Sequence, residues 1–333
     1  MTAAMTDVLV VTRHGGPDVL ELQSREIPEP GPGQLLVRVE AAGVNFVDVY
    51  QRQGVYPTRP PFVLCGEGAG VVEAVGPGAA AAVGDRVGWA TAPGSAAGYA
   101  LVADDAALPL PDGVSTTDAA AVLLQGMTAH YLVNSTYPIQ PGDTVLLHAA
   151  AGGVGQLLAQ LAKAKGATVI GTVSTEAKAE QARAAGADHV INYAELDAMA
   201  DLAGRVHELT GGVGVAAVYD GVGQATFDAS LASLRRRGML VLFGGASGQA
   251  PPLDLQRLNR GGSLFVTRPT LADYVATREE LLWRGSDVLL AVADGSLRVA
   301  IGGRYPLAEA RRAYEDLESR RSTGKLLLIP RGR

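Results

Sequence analysis

Three glycines, Gly152, Gly153 and Gly155, stand between an apolar run that ends at Ala149 and a helical pattern that begins at Val154. Ala150, Gly152 and Gly155 take the three spaced positions of a G-x-G-x-x-G loop, with alanine in the first. Glycines at that spacing let the backbone approach a pyrophosphate, whose charge is met by the N-terminus of the following helix. The fingerprint also calls for an acid about 20 residues further on, to hold a ribose 2′-hydroxyl. The stretch Val169 to Ser174 contains none. The chain offers instead Ser174, Lys178 four residues later, and Tyr193 after the next apolar run. Two hydroxyls and a cation suit a 2′-phosphate, through charge-assisted hydrogen bonds. Taken singly, a tight turn and a solvated lysine are the plain alternatives. Taken together, the residues predict a loop for NADPH.

A second group of residues is rich in hydrogen-bond donors, the kind of group that steadies an oxygen gaining negative charge. In the segment GVNFVDVYQRQGVYP, residues 43–57, these are Asn45, Tyr50 and Tyr56. Turn or cap chemistry is the alternative for Asn45 and Asp48, and core packing for Tyr50. Arg268, in VTRP, follows an expected strand and is a further donor, with a structural ion pair as its alternative. Phe243, Gly244 and Gly245 follow another apolar run, where glycines would let backbone approach a nicotinamide. His148 reads as a satisfied core histidine, and Cys65, the only cysteine, as a small buried residue.

The elements that must position these groups fall into two textures. The first 110 or so residues are β-rich, with short runs at 7–13, 35–41, 70–75, 85–89 and 98–102 punctuated by EPGPG and VGPG. They predict an antiparallel barrel or sandwich. A helix over 119–133 follows, with Thr117 or Asp118 as its cap. Strand and helix patterns then alternate. Strands are expected at 144–149, 168–173, 188–192, 215–219, 238–243 and 263–267, and helices after Val154 and over 176–185. That alternation is the signature of a doubly wound parallel sheet. Helices near 277–293 and 307–319 and a strand at 325–329 are expected to pack back on the first domain.

Composition narrows the function. The chain has 333 residues, enough for one large domain or two ordinary ones, and with 47% of them hydrophobic there is ample material for a core. Net charge is −6 with aromatics at 5%, unlike the basic, aromatic surface of a nucleic-acid binder. One cysteine excludes a disulfide within the chain and any cysteine-based metal cluster. The opening MTAAMTDVLVVTRHGG lacks the features of a signal peptide, and no long stretch is free of polar interruption. A soluble cytoplasmic protein is expected.

The motifs HGGPDVL, GVNFVDVYQRQGVYP, GEGAGVV, VGDRV, LLQGMTAHYL, HAAAGGVGQ, GTVSTEAKAEQA, INY, YDGVG, RRRGMLVLFG, VTRP and GKLLLIP run along essentially the whole chain. By them the chain resembles the medium-chain dehydrogenase/reductase superfamily, and within it the zinc-free NADPH:quinone oxidoreductases that include zeta-crystallin. The resemblance implies an α/β fold with a GroES-like β-rich catalytic domain, residues 1–125 and 267–333. A Rossmann NADPH-binding domain, residues 126–266, is inserted in it. It implies a homodimer and hydride transfer from NADPH to a quinone. It places the segment around Asn45, Phe46 and Asp48 beside the nicotinamide, with Thr267 and Arg268 facing the same cleft. Gln125 and Thr128 contact the ribose or carboxamide on this resemblance alone. Zinc alcohol dehydrogenases of the superfamily carry G-H-E where this chain has Cys65-Gly66-Glu67, and a cysteine where it has Asn45. Two zinc-ligand places are therefore filled by non-ligands, and the four-cysteine lobe is missing, which implies metal-free chemistry. The alternatives are an NADPH-dependent 2-alkenal or enoyl reductase and a non-catalytic NADPH-binding protein.

Overall fold

The computed structural model describes residues 4–319 and 322–330. Two compact units are resolved, one comprising the chain up to Met127 together with the part from Val275 on, the other Thr128–Tyr274.

The first unit is built on the long strand Gln34–Val44. On one side it pairs antiparallel with Glu67–Val75, which continues through Arg86–Trp89 to Leu108–Pro109. On the other it pairs with Lys325–Ile329, itself parallel to Ile301–Pro306. Tyr99–Ala103 also pairs with the long strand, and a three-stranded sheet of Leu20–Glu26, Met5–Val11 and Phe62–Val63 completes the unit. Leu35, Val37, Trp89, Val102 and Leu328 share one buried core. The strand Leu20–Glu26 escapes the sequence pattern because its polar outer face, with Glu21, Gln23 and Arg25, breaks the apolar run. The register decides the site. Leu326 lies opposite Val44 and Glu67 opposite Gly43. Lys325, Glu67 and Asn45 therefore converge at one end of the central strand.

In the second unit six parallel strands follow the order His189–Asn192, Thr168–Val173, Thr144–Leu147, Val215–Asp220, Leu234–Leu242, Phe265–Thr267. In chain order this is 3-2-1-4-5-6, the doubly wound arrangement with its switch between the first and fourth strands. Strands such as Val215–Asp220 are buried throughout, as a sheet covered by helices on both faces requires.

Three expectations need correction. Phe265–Thr267 pairs in parallel with Met239–Val241, so Thr267 belongs to this sheet, and the unit runs to Tyr274 rather than ending at 266. The first boundary falls at 127/128 rather than 125/126, inside the helix Thr116–Tyr131. That helix starts before its expected caps. Ser115 caps it, its hydroxyl accepting from the Asp118 amide at 3.0 Å and donating to the Asp118 carboxylate at 2.7 Å.

Candidate active site and cofactor loop

In the first unit Asn45 precedes the short helix Phe46–Arg52 and is buried. Its backbone N–H donates to Asp48 Oδ2 at 2.8 Å, so the cap chemistry considered for this pair is present. Its side chain is gripped on both sides. Nδ2 donates to Glu67 Oε2 at 2.8 Å and to the Gly43 carbonyl at 3.3 Å. Oδ1 accepts from Lys325 Nζ at 2.6 Å and from Gln125 Nε2 at 3.4 Å. Glu67 also accepts from Lys325 Nζ at 2.5 Å and from the Leu124 amide at 2.7 Å. Gly43 admits the carboxylate, since a Cβ there would stand 2.8 Å from both the Ala120 carbonyl and the Glu67 carboxyl carbon. Glu67 and Lys325 are essentially inaccessible to solvent, at 0% and 1% exposure.

A second branch runs from Asp48. Its Oδ2 accepts from Tyr314 Oη at 2.9 Å, and Tyr314 Oη lies 3.2 Å from Cys65 Sγ. Burial pushes the Asp48 carboxyl up to about 7, opposed by the Asn45 amide and the Tyr314 hydroxyl. Its Oδ1 is buried and makes no hydrogen bond among the described residues. Burial likewise pushes the Cys65 thiol well up, which suits a small core residue rather than a thiolate. Tyr50 and Tyr56 stack at a tilt with ring centroids 5.3 Å apart, and Phe46 packs 6.3 Å from Tyr50.

In the second unit the glycine loop closes tightly. Ala149 is left-handed at φ 51°, and the Gly152 amide donates back to its carbonyl at 2.8 Å. A Cβ on Gly155 would collide with the Ala149 carbonyl and come within 2.9 Å of the Ala150 backbone. The helix Gly153–Ala164 that follows has Gly152 as N-cap, no side-chain cap and no acid in its first turn. By contrast the helix Glu176–Ala184 is capped by the Thr175 side chain and carries Glu176. An uncapped, acid-free helix N-terminus behind a crowded glycine turn, at the C-terminal end of the first strand, fits a pyrophosphate. After the second strand Lys178 Nζ donates to Ser174 Oγ at 3.2 Å, bringing two of the three expected 2′-phosphate partners together. Tyr193 begins the turn after the third strand. Gly244 lies against Gly221, and the Phe243 and Gly244 amides both donate to the Asp220 carbonyl. Thr267 ends the last strand, with Arg268 exposed just beyond it, while Thr128 is buried.

Beneath the loop His148 is fixed by Ser230 and Thr172. Ser230 Oγ and Thr226 Oγ1 donate to Asp220 Oδ2 at 2.8 and 2.7 Å. Ser230 must therefore accept from His148 Nε2 at 2.9 Å, leaving Nδ1 to accept from Thr172 Oγ1 at 3.0 Å. Burial holds the imidazole below its usual range, partly opposed by Asp220. Every partner being engaged, this is a stitch across strand ends rather than an acid catalyst.

Sequence reasoning gave no role to Glu67 or Tyr314, and it missed Lys325. Its signal was a lone cation heading the buried run LLLI, a place where charge is costly without a partner.

The chain matches the alcohol dehydrogenase GroES-like domain model over residues 31–112 and the zinc-binding dehydrogenase model over residues 153–277. It is 45% identical to a quinone oxidoreductase of Pseudomonas aeruginosa, covering 95% of this chain and 97% of the relative. It belongs to the medium-chain dehydrogenase/reductase superfamily. A solved mycobacterial protein complexed with NADPH is 51% identical, with a TM-score of 0.94 over 98% of this chain and 100% of that chain. A 2-haloacrylate reductase of a Burkholderia species is 41% identical over 98% of this chain and 99% of the relative. Among the described residues no three His, Cys, Asp or Glu side chains are grouped to hold a metal ion, and no helix is long and apolar enough to cross a membrane.

Proposed function

We propose that this chain reduces quinones at the expense of NADPH by direct hydride transfer, without metal or flavin, and that it works as a homodimer in the cytoplasm. The observation that carries the reading is the uncapped, acid-free N-terminus of Gly153–Ala164 behind the glycine turn at Gly152 and Gly155. NADPH, when bound, supplies the hydride. Gly152, Gly153, Val154 and Gly155 hold its pyrophosphate with backbone amides and the helix dipole. Ser174, Lys178 and Tyr193 hold the 2′-phosphate. Phe243, Gly244, Gly245, Gln125, Thr128 and Thr267 orient the nicotinamide ribose and carboxamide. Tyr50 and Tyr56, with Arg268, donate to the quinone oxygen as it gains charge. Asn45, Phe46 and Asp48 shape the same segment.

The 41% identity to a 2-haloacrylate reductase supports a second reading, reduction of a conjugated C=C bond with the same cofactor. NADPH oxidation with benzoquinones and with 2-alkenals separates the two, and NADPH alone is the control for a protein that only binds. Fast quinone reduction by flavin-free protein, unchanged by EDTA and without stoichiometric zinc on elemental analysis, is expected. Turnover of enals with inertness toward quinones would favour the second reading, and tightly bound zinc whose removal abolishes turnover would overturn the metal-free mechanism.

A further inference from the structure

Both N–H bonds of the Asn45 amide, expected to face substrate, are engaged inside the first unit, by Glu67 and the Gly43 carbonyl. We propose that Lys325 and Glu67 are positioning residues that lock the Asn45 amide in one orientation, and through it hold the Gln125 side chain. An asparagine amide has two ends of nearly equal shape, and only hydrogen bonding tells them apart. Lys325 can only donate, so it meets Oδ1, and Glu67 can only accept, so it meets Nδ2. Turning the amide over would set its NH2 against the ammonium and its oxygen against the carboxylate. Both charges are fully buried, so solvent does not weaken that preference. Oδ1, fixed by Lys325, is also the acceptor for Gln125 Nε2. Gln125 is only partly buried, the outermost member of this chain of contacts. An ion pair that served stability alone would need no amide between its members and a further side chain. Such pairs can often be replaced by neutral residues of similar volume without loss.

The inference rests on the functional reading, in which Gln125 serves the cofactor, and it can be tested apart from that reading. Lys325→Met/Glu67→Gln removes both charges and keeps the volume, so no uncompensated charge is left in the core. The folded double variant is expected to keep a melting temperature near wild type and a quinone KM within about threefold. Its kcat is expected to fall about tenfold or more, the scale of one misplaced hydrogen bond. The chain has four asparagines, Asn45, Asn134, Asn192 and Asn259, so [15N]asparagine labelling gives a readable set of side-chain amide signals. In the cofactor-free wild type the Asn45 pair, assigned by its loss in Asn45→Ser, is expected to exchange slowly with solvent. In the double variant it is expected to shift and exchange faster. A second charge-free pair, Lys325→Leu/Glu67→Met, carries the same two readouts if this double variant does not fold. Both must move. An unmoved Asn45 signal, or a kcat within twofold of wild type in a folded variant, overturns the assignment. A wild type inert toward quinones and enals would defeat the functional reading, while the amide signal would still judge the orientation of Asn45.

Discussion

Each unit buries a carboxylate near the end of a central strand and satisfies it differently. Asp220, in the second unit, accepts from two backbone amides, Val222 and Gly223, and from the hydroxyls of Thr226 and Ser230. All four donors are neutral and all lie within ten residues of it in sequence. Glu67, in the first unit, accepts from one backbone amide and from Asn45, but its strongest partner is the ammonium of Lys325, 258 residues away. The difference fits the proposed division of work. Under it, backbone amides and glycine spacing bind the nucleotide at the loop, so the side chains beneath need only stitch neighbouring elements together. Around Asn45 a side-chain amide has to face one way, and charges of opposite sign on either side of it enforce that.

The comparison is most directly broken by Lys325→Met alone. Removing one partner of a buried pair leaves the other charge without compensation, a loss on the order of 3–5 kcal/mol. Chemical denaturation is expected to show it as a large fall in midpoint. Ser230→Ala, which deletes one of four neutral donors to Asp220, is expected to cost about 1–3 kcal/mol. Equal losses in the two variants would erase the distinction between an ion-paired and a neutral network.

Asp48 gives the next effect. Its folded carboxyl keeps its proton up to about pH 7, whereas the ordinary value is 3.8, chiefly because burial disfavours the anion. Between those values the native state holds more protons than the unfolded chain. The stability that Asp48 contributes is present below pH 4 and is lost as pH rises through 7. From pH 5 to pH 8 the loss amounts to about 2–3 kcal/mol. Asp48→Asn keeps an oxygen for the Asn45 amide and the Tyr314 hydroxyl, and is expected to flatten that slope. Denaturation midpoints of both proteins across the range decide it, and parallel slopes would assign the pH dependence to another group. His148 runs the other way. Burial keeps it neutral, so its contribution is lost as pH falls through its ordinary value.

Much of this was legible in the chain. The parallel sheet announced itself because its inner strands, Thr144–Leu147, Thr168–Val173 and Val215–Asp220, are buried almost throughout and read as short apolar runs, and Thr168–Val173 falls where the pattern put it. The glycine turn and the acid-free stretch after it were readable for the same reason: they depend on local backbone and on residue type at fixed spacing. The network around Asn45 was not, because its members lie at 45, 48, 67, 125, 314 and 325, and strand register and the packing of two helices, Thr116–Tyr131 and Ala310–Glu318, bring the distant ones together. Nothing local marks Lys325 as Asn45's partner. The boundary at 266 was misplaced because Phe265–Thr267 is short and partly exposed, and only its pairing with Met239–Val241 assigns it to the sheet.

Lys178→Glu tests the second unit on its own terms. The Lys178 ammonium already reaches the Ser174 hydroxyl at 3.2 Å, so both can turn to a phosphate. Charge-assisted hydrogen bonds of roughly 1.5–3 kcal/mol predict a wild-type preference for NADPH over NADH of about tenfold to a few hundredfold, weakening with salt. The carboxylate is expected to reverse most of it and to leave the quinone KM alone. An unmoved cofactor ratio would remove Lys178 from the ribose pocket.

Tyr50→Phe is the smallest effect and the finest probe of the first unit. The ring packs against both Phe46 and Tyr56, contacts that phenylalanine preserves, so the substitution isolates the hydroxyl. If that hydroxyl donates to the quinone oxygen as charge develops, kcat/KM falls by about tenfold, the worth of one hydrogen bond. The NADPH dissociation constant, read by nucleotide fluorescence, is expected to stay put, as is the melting temperature. The effects of Tyr50→Phe and Lys178→Glu are then expected to multiply, because one acts on the substrate and the other on the cofactor's ribose phosphate. Strong non-additivity would mean that the two units do not divide the work as their networks suggest. Unchanged kinetics in Tyr50→Phe would return this tyrosine to the aromatic packing of its helix, and Tyr56 and Arg268 would be left as the donors to examine.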